Sequence, residues 1–235
     1  MERKKRFRLY IRGAMKITKY IHSCLLIEKG DDRLLFDPGK FSFVEGLVDP
    51  GRFKDLTAVL LTHFHPDHID EAAIRTIRQN NPAATIFANH GIVEKLGEKN
   101  IEAAEFSTGT RLIGGFSIEA LDAPHAWLLN AEPPENTAYV LDEKLLVPGD
   151  SYADTLDAKK GIAMLALPVM APWTTELGTA DFVSRIAPKE IIPIHDGYAK
   201  DFFLKMRYDN FEDHFAKTGI KFHRLEKAGD SVELG

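Results

Sequence analysis

From Met15 onward the chain alternates short apolar runs with turn-forming residues, and its hydrophobic period changes several times. Residues 16–21 and 23–28 are rich in β-favouring side chains and read as strands. Gly30-Asp31-Asp32 turns the chain, residues 33–36 return it, and Asp37-Pro38-Gly39 stops that strand. Residues 56–61 form a further apolar run. The period then lengthens: Ile69, Ala72, Ala73, Ile74 and Ile77 share one helical face, which ends at Asn80-Asn81-Pro82. A buried strand over 84–88, a short helix over 92–98 and glycine- and proline-broken strands across 101–147 come next. A helix over 176–186, a strand over 190–194, a helix over 200–217 capped by Gly219 and a strand over 221–225 complete the pattern. This order predicts an α+β fold, two sheets face to face with helices outside, as a single domain over 15–235.

Bulk composition narrows the class. The 235 residues are 44% apolar and 28% charged, which is ordinary for a globular chain able to bury a core. A net charge of -5 argues against nucleic acid as the main partner. No apolar stretch reaches the roughly 20 residues that a membrane span needs. Cys24 is the lone cysteine, so no internal disulfide forms, and a reducing, cytoplasmic setting is expected. Within an apolar run it reads as packing rather than as a nucleophile. Residues 1–14 hold Arg3, Lys4, Lys5, Arg6, Arg8 and Arg12 with no apolar segment behind them, and are expected to be a disordered basic tail.

The chemistry is concentrated in Thr62-His63-Phe64-His65-Pro66-Asp67-His68, directly after an apolar run. Three imidazoles and a carboxylate so close together point to a metal site. Other candidates also follow strand-like runs: His125 after residues 116–121, Asp150 after 144–147 and His195 after 191–194. Strand ends in packed sheets can converge on one edge. His63, His65 and His125 would give a three-nitrogen site with an open fourth position. Asp67, His68 and His195 would give a second, with Asp150 bridging two divalent ions about 3.5–4 Å apart that share a hydroxide.

These residues resemble the metallo-β-lactamase superfamily, whose fold is a four-layer αβ/βα sandwich. The resemblance covers residues 15–225: the histidine loop is its signature, Pro124-His125 its third histidine, Gly149-Asp150 its bridging aspartate and Ile194-His195 its last histidine. Ile21-His22-Ser23, Phe36-Asp37-Pro38, His68-Ile69-Asp70 and Leu167-Pro168-Val169 are similar to the ascorbate-6-phosphate lactonase-like branch. Met170-Ala171-Pro172-Trp173 departs from that branch, which often has glycines there. Aspartate rather than cysteine at position 150 disfavours the zinc-cysteine β-lactamases, and the stretch from Asp150 to His195 is too short for the nuclease branch's inserted domain.

The resemblance implies a hydrolase with a dinuclear centre, zinc first and Mn2+ or Fe2+ as alternatives, acting on an ester, lactone or phosphodiester of a small molecule. Asp67 would orient the nucleophile or shuttle a proton. Around these ligands, His22 would contact substrate or pack under the loop, and Asp37 would hydrogen-bond a ligand histidine or the loop backbone. Trp127, Trp173 and Tyr198 would wall the pocket or join the core. A non-catalytic or regulatory metal protein is the alternative. A diiron redox protein is a weaker one, because the glutamate near His65 and the flavin domain of that class are missing.

Overall fold

Period-two patterning gives the two faces of each strand different neighbours. β1 (Met15–Lys19), β2 (Leu25–Lys29) and β3 (Asp32–Phe36) form an antiparallel meander, which β4 (Ala58–Leu60), β5 (Thr85–Ala88) and β6 (Ala104–Glu105) extend in parallel. In the second sheet β7 (Gly109–Ile113), β8 (Phe116–Asp122), β9 (Thr137–Leu141) and β10 (Leu145–Val147) alternate in direction. There β11 (Met164–Pro168), β12 (Glu190–Ile194) and β13 (Lys221–Phe222) continue in parallel. β14 (Ser231–Leu234) returns to β1, so the seven-stranded sheets run β14-β1-β2-β3-β4-β5-β6 and β13-β12-β11-β10-β9-β8-β7. The computed structural model describes residues 13–235; the basic residues expected to form a tail lie outside them.

Leu25, Ile27, Leu34 and Phe36 meet Tyr139, Leu141, Leu145, Val147, Ile192 and Ile194 in an apolar layer between the sheets. Their neighbours in sequence face outward. After a single turn, α1 (Lys40–Phe43), come α2 (Glu71–Asn80) and α3 (His90–Glu98), whose Ile74, Ile77, Ile92 and Leu96 cover Leu26, Leu35 and Val59. On the other side α4 (Glu176–Ile186) and α5 (Asp201–Ala216) cover Val140, Leu146, Leu165 and Ile191 with Phe182, Val183, Ile186, Phe211 and Phe215. The result is the helix–sheet–sheet–helix sandwich that the pattern and the resemblance predict.

Among the strands and α-helices described, three escape the pattern reading. β11 is buried along its whole length, so its apolar run carries no period. β14 is a short edge strand beyond the last expected element. α1 is too brief to show a helical face. Boundaries also shift: the strands expected at 16–21 and 23–28 give way to a tight turn that holds His22 at φ +65°. The strand expected over 221–225 ends at Phe222. Among the described residues no helix is long and apolar enough to cross a membrane.

Candidate metal centre

Ligands of α/β sheets collect at the carboxyl ends of strands, and both sheets deliver theirs to one place. Asp37 follows β3, the histidine loop follows β4, His125 follows β8, Asp150 follows β10 and His195 follows β12. His22 sits in the β1–β2 turn. The sheets are tied together here: Thr137 N donates to Thr62 O at 2.9 Å, and His63 bridges to Asn136.

Asn136 is the brace that sequence reading missed. Its Nδ2 donates to Ala123 O at 2.8 Å and Pro148 O at 3.0 Å, and its Oδ1 accepts from Asp150 N at 3.2 Å. One buried amide thus fixes the turns carrying His125 and Asp150. A lone asparagine has no spacing signal that could have singled it out. Asn136→Ala strands two buried carbonyls and an N–H, so a loss of at least about 2 kcal/mol is expected. Urea midpoints at unchanged slope measure it; a shift equivalent to under about 0.5 kcal/mol, the size of an ordinary surface change, would contradict this role.

The histidine loop rests on the turn before it. Lys40 N donates to Pro66 O at 2.8 Å and Asp70 N to Pro38 O at 3.0 Å. Gly39 permits this approach: a Cβ there would lie 1.7 Å from Asp67 O. Asp70 then caps α2, accepting from Ala72 N and Ala73 N at 2.9 and 3.0 Å.

Hydrogen bonds to Nδ1 settle which nitrogen each imidazole offers inward. His68 Nδ1 donates to Asp37 Oδ2 at 2.8 Å, His125 Nδ1 to Ala126 O at 2.5 Å and His195 Nδ1 to Met170 O at 2.6 Å. Asp37 also accepts from Thr62 N at 2.8 Å and Thr62 Oγ1 at 2.7 Å. In the neutral form of each ring the lone pair is therefore on Nε2. Nε2 of His63, His68, His125 and His195, with Asp150 Oδ1, are buried without a hydrogen-bond partner among the described residues. Unsatisfied buried polar atoms cost about 1–3 kcal/mol each, so this convergence fits a cation and not packing.

Among the described residues, three groups of ligand-type side chains lie around Asp150. His63, His65 and His125 bring ligand atoms within 4.8 Å of one another, as do His63, His68 and Asp150, and a further group of Asp67, His68, His195 and His22. Asp150 Oδ1 lies 3.2 Å from His68 Nε2, and its Oδ2 lies 2.9 Å from His195 Nε2 and 3.7 Å from His125 Nε2. Burial pushes His63 well below the usual imidazole range and lowers His65 and His125, keeping them neutral and ready to ligate. Burial would raise Asp150, but His195, His68 and His63 outweigh it and hold its carboxyl well below the usual range. Burial would lower His68; Asp150 and Asp37 prevail and raise it. Burial would likewise raise Asp67, but hydrogen bonding from His22 and the charge of His68 keep it low.

Other residues singled out from the sequence fall around this centre. Trp173 is half-buried and its Nε1 donates to Asp150 Oδ2 at 2.9 Å, so it touches a candidate ligand directly. Trp127, on the loop after His125, is 67% exposed. Tyr198 donates to Asp67 Oδ2 at 2.8 Å. Burial and a neighbouring His195 press His22 down to about 4. Burial pushes the Cys24 thiol up to about 12, which leaves it inert. His22, Asp37 and His195 adopt positive φ of 65°, 40° and 62°, a strain common at functional sites.

Residues 16–195 match the family described as the beta-lactamase superfamily domain. The chain belongs to that superfamily, on the metallo-β-lactamase side of it that the fold defines. It is 35% identical over 190 residues to protein Rv0786c of Mycobacterium tuberculosis, covering 77% of this chain and 84% of that one. It is 28% identical over 239 residues to a UPF0173 metal-dependent hydrolase of Opitutus terrae, covering 94% of this chain and 100% of the relative. The fold of Igni18, a metallo hydrolase from Ignicoccus hospitalis, superposes with a TM-score of 0.72 at 20% identity, covering 94% and 99% of the two chains.

Proposed function

We propose that this protein is a metal-dependent hydrolase that cleaves an ester, lactone or phosphodiester bond in a small molecule carrying an apolar part. The carrying observation is the convergence of four buried Nε2 atoms and Asp150 Oδ1 that have no hydrogen-bond partner among the described residues. His63, His65 and His125 would hold one divalent ion, and Asp67, His68 and His195 a second, with Asp150 between them. Neutral imidazoles with carboxylates suit zinc, and also manganese or iron. When bound, such ions polarise the scissile oxygen and activate a water for attack.

The protein's own groups do the positioning. Asp37 fixes the ring of His68, and the Ala126 and Met170 carbonyls fix those of His125 and His195. Trp173 holds Asp150 Oδ2 in place. Exposed apolar side chains follow the strands that end at this edge: Leu47 after β3, Trp127 and Leu129 after β8, Leu177 in the first turn of α4, Tyr198 after β12 and Phe202 in the first turn of α5. Apolar side chains on these segments would favour substrates with an apolar portion. The branch-like residues around His22 and Leu167 keep lactones first among the bonds to try.

The test is metal analysis of the purified protein, followed by a panel of lactones, phosphodiesters and thioesters with Zn2+ or Mn2+ restored. Two ions per chain and hydrolysis of at least one class are expected. Hydrolysis that survives stripping by a chelator overturns the reading. A loaded protein that cleaves none of them favours the non-catalytic alternative. On the cleaved substrate, Trp127→Ala is expected to raise KM by an amount worth about 1–3 kcal/mol, with metal content unchanged. Unchanged kinetics would remove Trp127 from the substrate wall.

A further inference from the structure

We infer that His22 is not a metal ligand but a tautomer-fixed donor that, together with Tyr198, holds Oδ2 of Asp67 and thereby sets the second cation position. This inference rests on the two-ion reading above. Gly197 N donates to His22 Nδ1 at 3.0 Å. A nitrogen that accepts an N–H carries no proton of its own, so the single proton of this ring sits on Nε2. That Nε2 lies 3.1 Å from Asp67 Oδ2 and donates to it. Protonated, it has no lone pair for a cation, although His22 falls within the same cluster of ligand-type side chains as Asp67, His68 and His195. His68, His125 and His195 are the reverse case, with the proton on Nδ1 and the lone pair on Nε2.

The ring cannot readily turn to the other tautomer's geometry. His22 is fully buried, with its ring centroid 4.0 Å from that of His195, 5.0 Å from Phe41 and 5.2 Å from Tyr198. Its own carbonyl accepts from His195 N at 3.1 Å. A Cβ on residue 197 would stand 3.2 Å from His22 Nδ1 and 3.1 Å from the Phe41 ring, so the glycine keeps this contact open. Both donors to Asp67 Oδ2 are thus anchored on the segment after β12. Tyr198 belongs to it, and His22 is bound to it through ring and backbone. With His22 and Tyr198 both donating to Oδ2, the Asp67 carboxylate is held in one orientation and acts as an orienting ligand rather than a proton shuttle. The histidine loop of one sheet and the His195 turn of the other are coupled through these two hydrogen bonds.

The experiment titrates metal-free full-length protein with Zn2+ against a chromophoric chelator, and reads Co2+ absorption of the loaded forms. Asparagine tolerates the left-handed φ at position 22. Its side-chain oxygen can still accept from Gly197 N, but its amide falls short of Asp67. His22→Asn is expected to retain two ions at saturation while the weaker one binds about 10–100-fold less tightly, with a shifted Co2+ band. His22→Gln, whose amide nitrogen reaches the position of Nε2, is expected to recover most of that loss. Loss of one ion per chain in both variants at saturating Zn2+ would make His22 a ligand and overturn the inference. Wild-type affinity and spectrum in His22→Asn would overturn it equally, leaving His22 a packing residue. If circular dichroism finds His22→Asn unfolded, Tyr198→Phe probes the same oxygen, with about a 10-fold weaker second ion expected and unchanged affinity refuting the scheme. Wild-type protein that takes up fewer than two ions would instead refute the two-ion reading itself.

Discussion

Asp150→Ala is expected to lower metal-dependent hydrolysis by more than about 100-fold, because changing even a residue behind a ligand costs roughly 10–100-fold. Asp150 approaches His125 on one side and His68 and His195 on the other, so its removal would affect both of the proposed cation positions at once. Metal content should fall together with activity. The control is Trp173→Phe, which keeps an aromatic ring against Tyr152 and removes only the N–H donated to Asp150. A smaller loss is expected there, with a change in metal affinity rather than in stoichiometry. Asp150→Ala protein that keeps two ions and its rate would remove the residue from the centre.

Lys19→Met is expected to destabilise the fold by about 3–5 kcal/mol, the cost of leaving one partner of a buried ion pair unpaired. The side chains of Lys19 and Asp196 are 3% and 5% exposed, and the ammonium donates to Asp196 Oδ2, to Tyr208 OH at 3.2 Å and to Leu225 O at 3.0 Å. Tyr208 donates to the same carboxylate oxygen. This cluster lies directly behind His195, joining β1, the His195 turn and α5. Replacing both charges, as Lys19→Met with Asp196→Leu, should recover much of the loss, since an apolar pair can match a buried ion pair. Urea unfolding of the two single variants and the double variant forms the cycle. A single-variant cost under about 1 kcal/mol, the range of exposed pairs, would show the charges to be solvated.

The candidate ligands were legible because their chemistry is rare in sequence. Three imidazoles and a carboxylate beside a strand have few packing explanations, and His125, Asp150 and His195 each stand just past an apolar run. The sandwich was legible because Leu25 and Ile27 face one way while Leu26 faces the other, and α2 repeats its apolar residues on one face. β11 and β14 were not legible, one because burial on both faces erases the period and the other because an edge strand of four residues carries too little pattern.

What the sequence by itself determined was the inventory: the layers, the strand ends and the residues with cation-binding chemistry, all written in local spacing. Tertiary structure alone decided the use of each group. Asn136 became a brace, Asp37 the partner of His68, Trp173 a donor to Asp150, and His22 the acceptor of Gly197 N among the candidate ligands. Lys19 met Asp196 across 177 positions of the chain. The physical reason is that hydrogen-bond partnership and tautomer depend on atoms brought together from distant segments, and no spacing along the chain encodes which nitrogen of an imidazole will carry the proton.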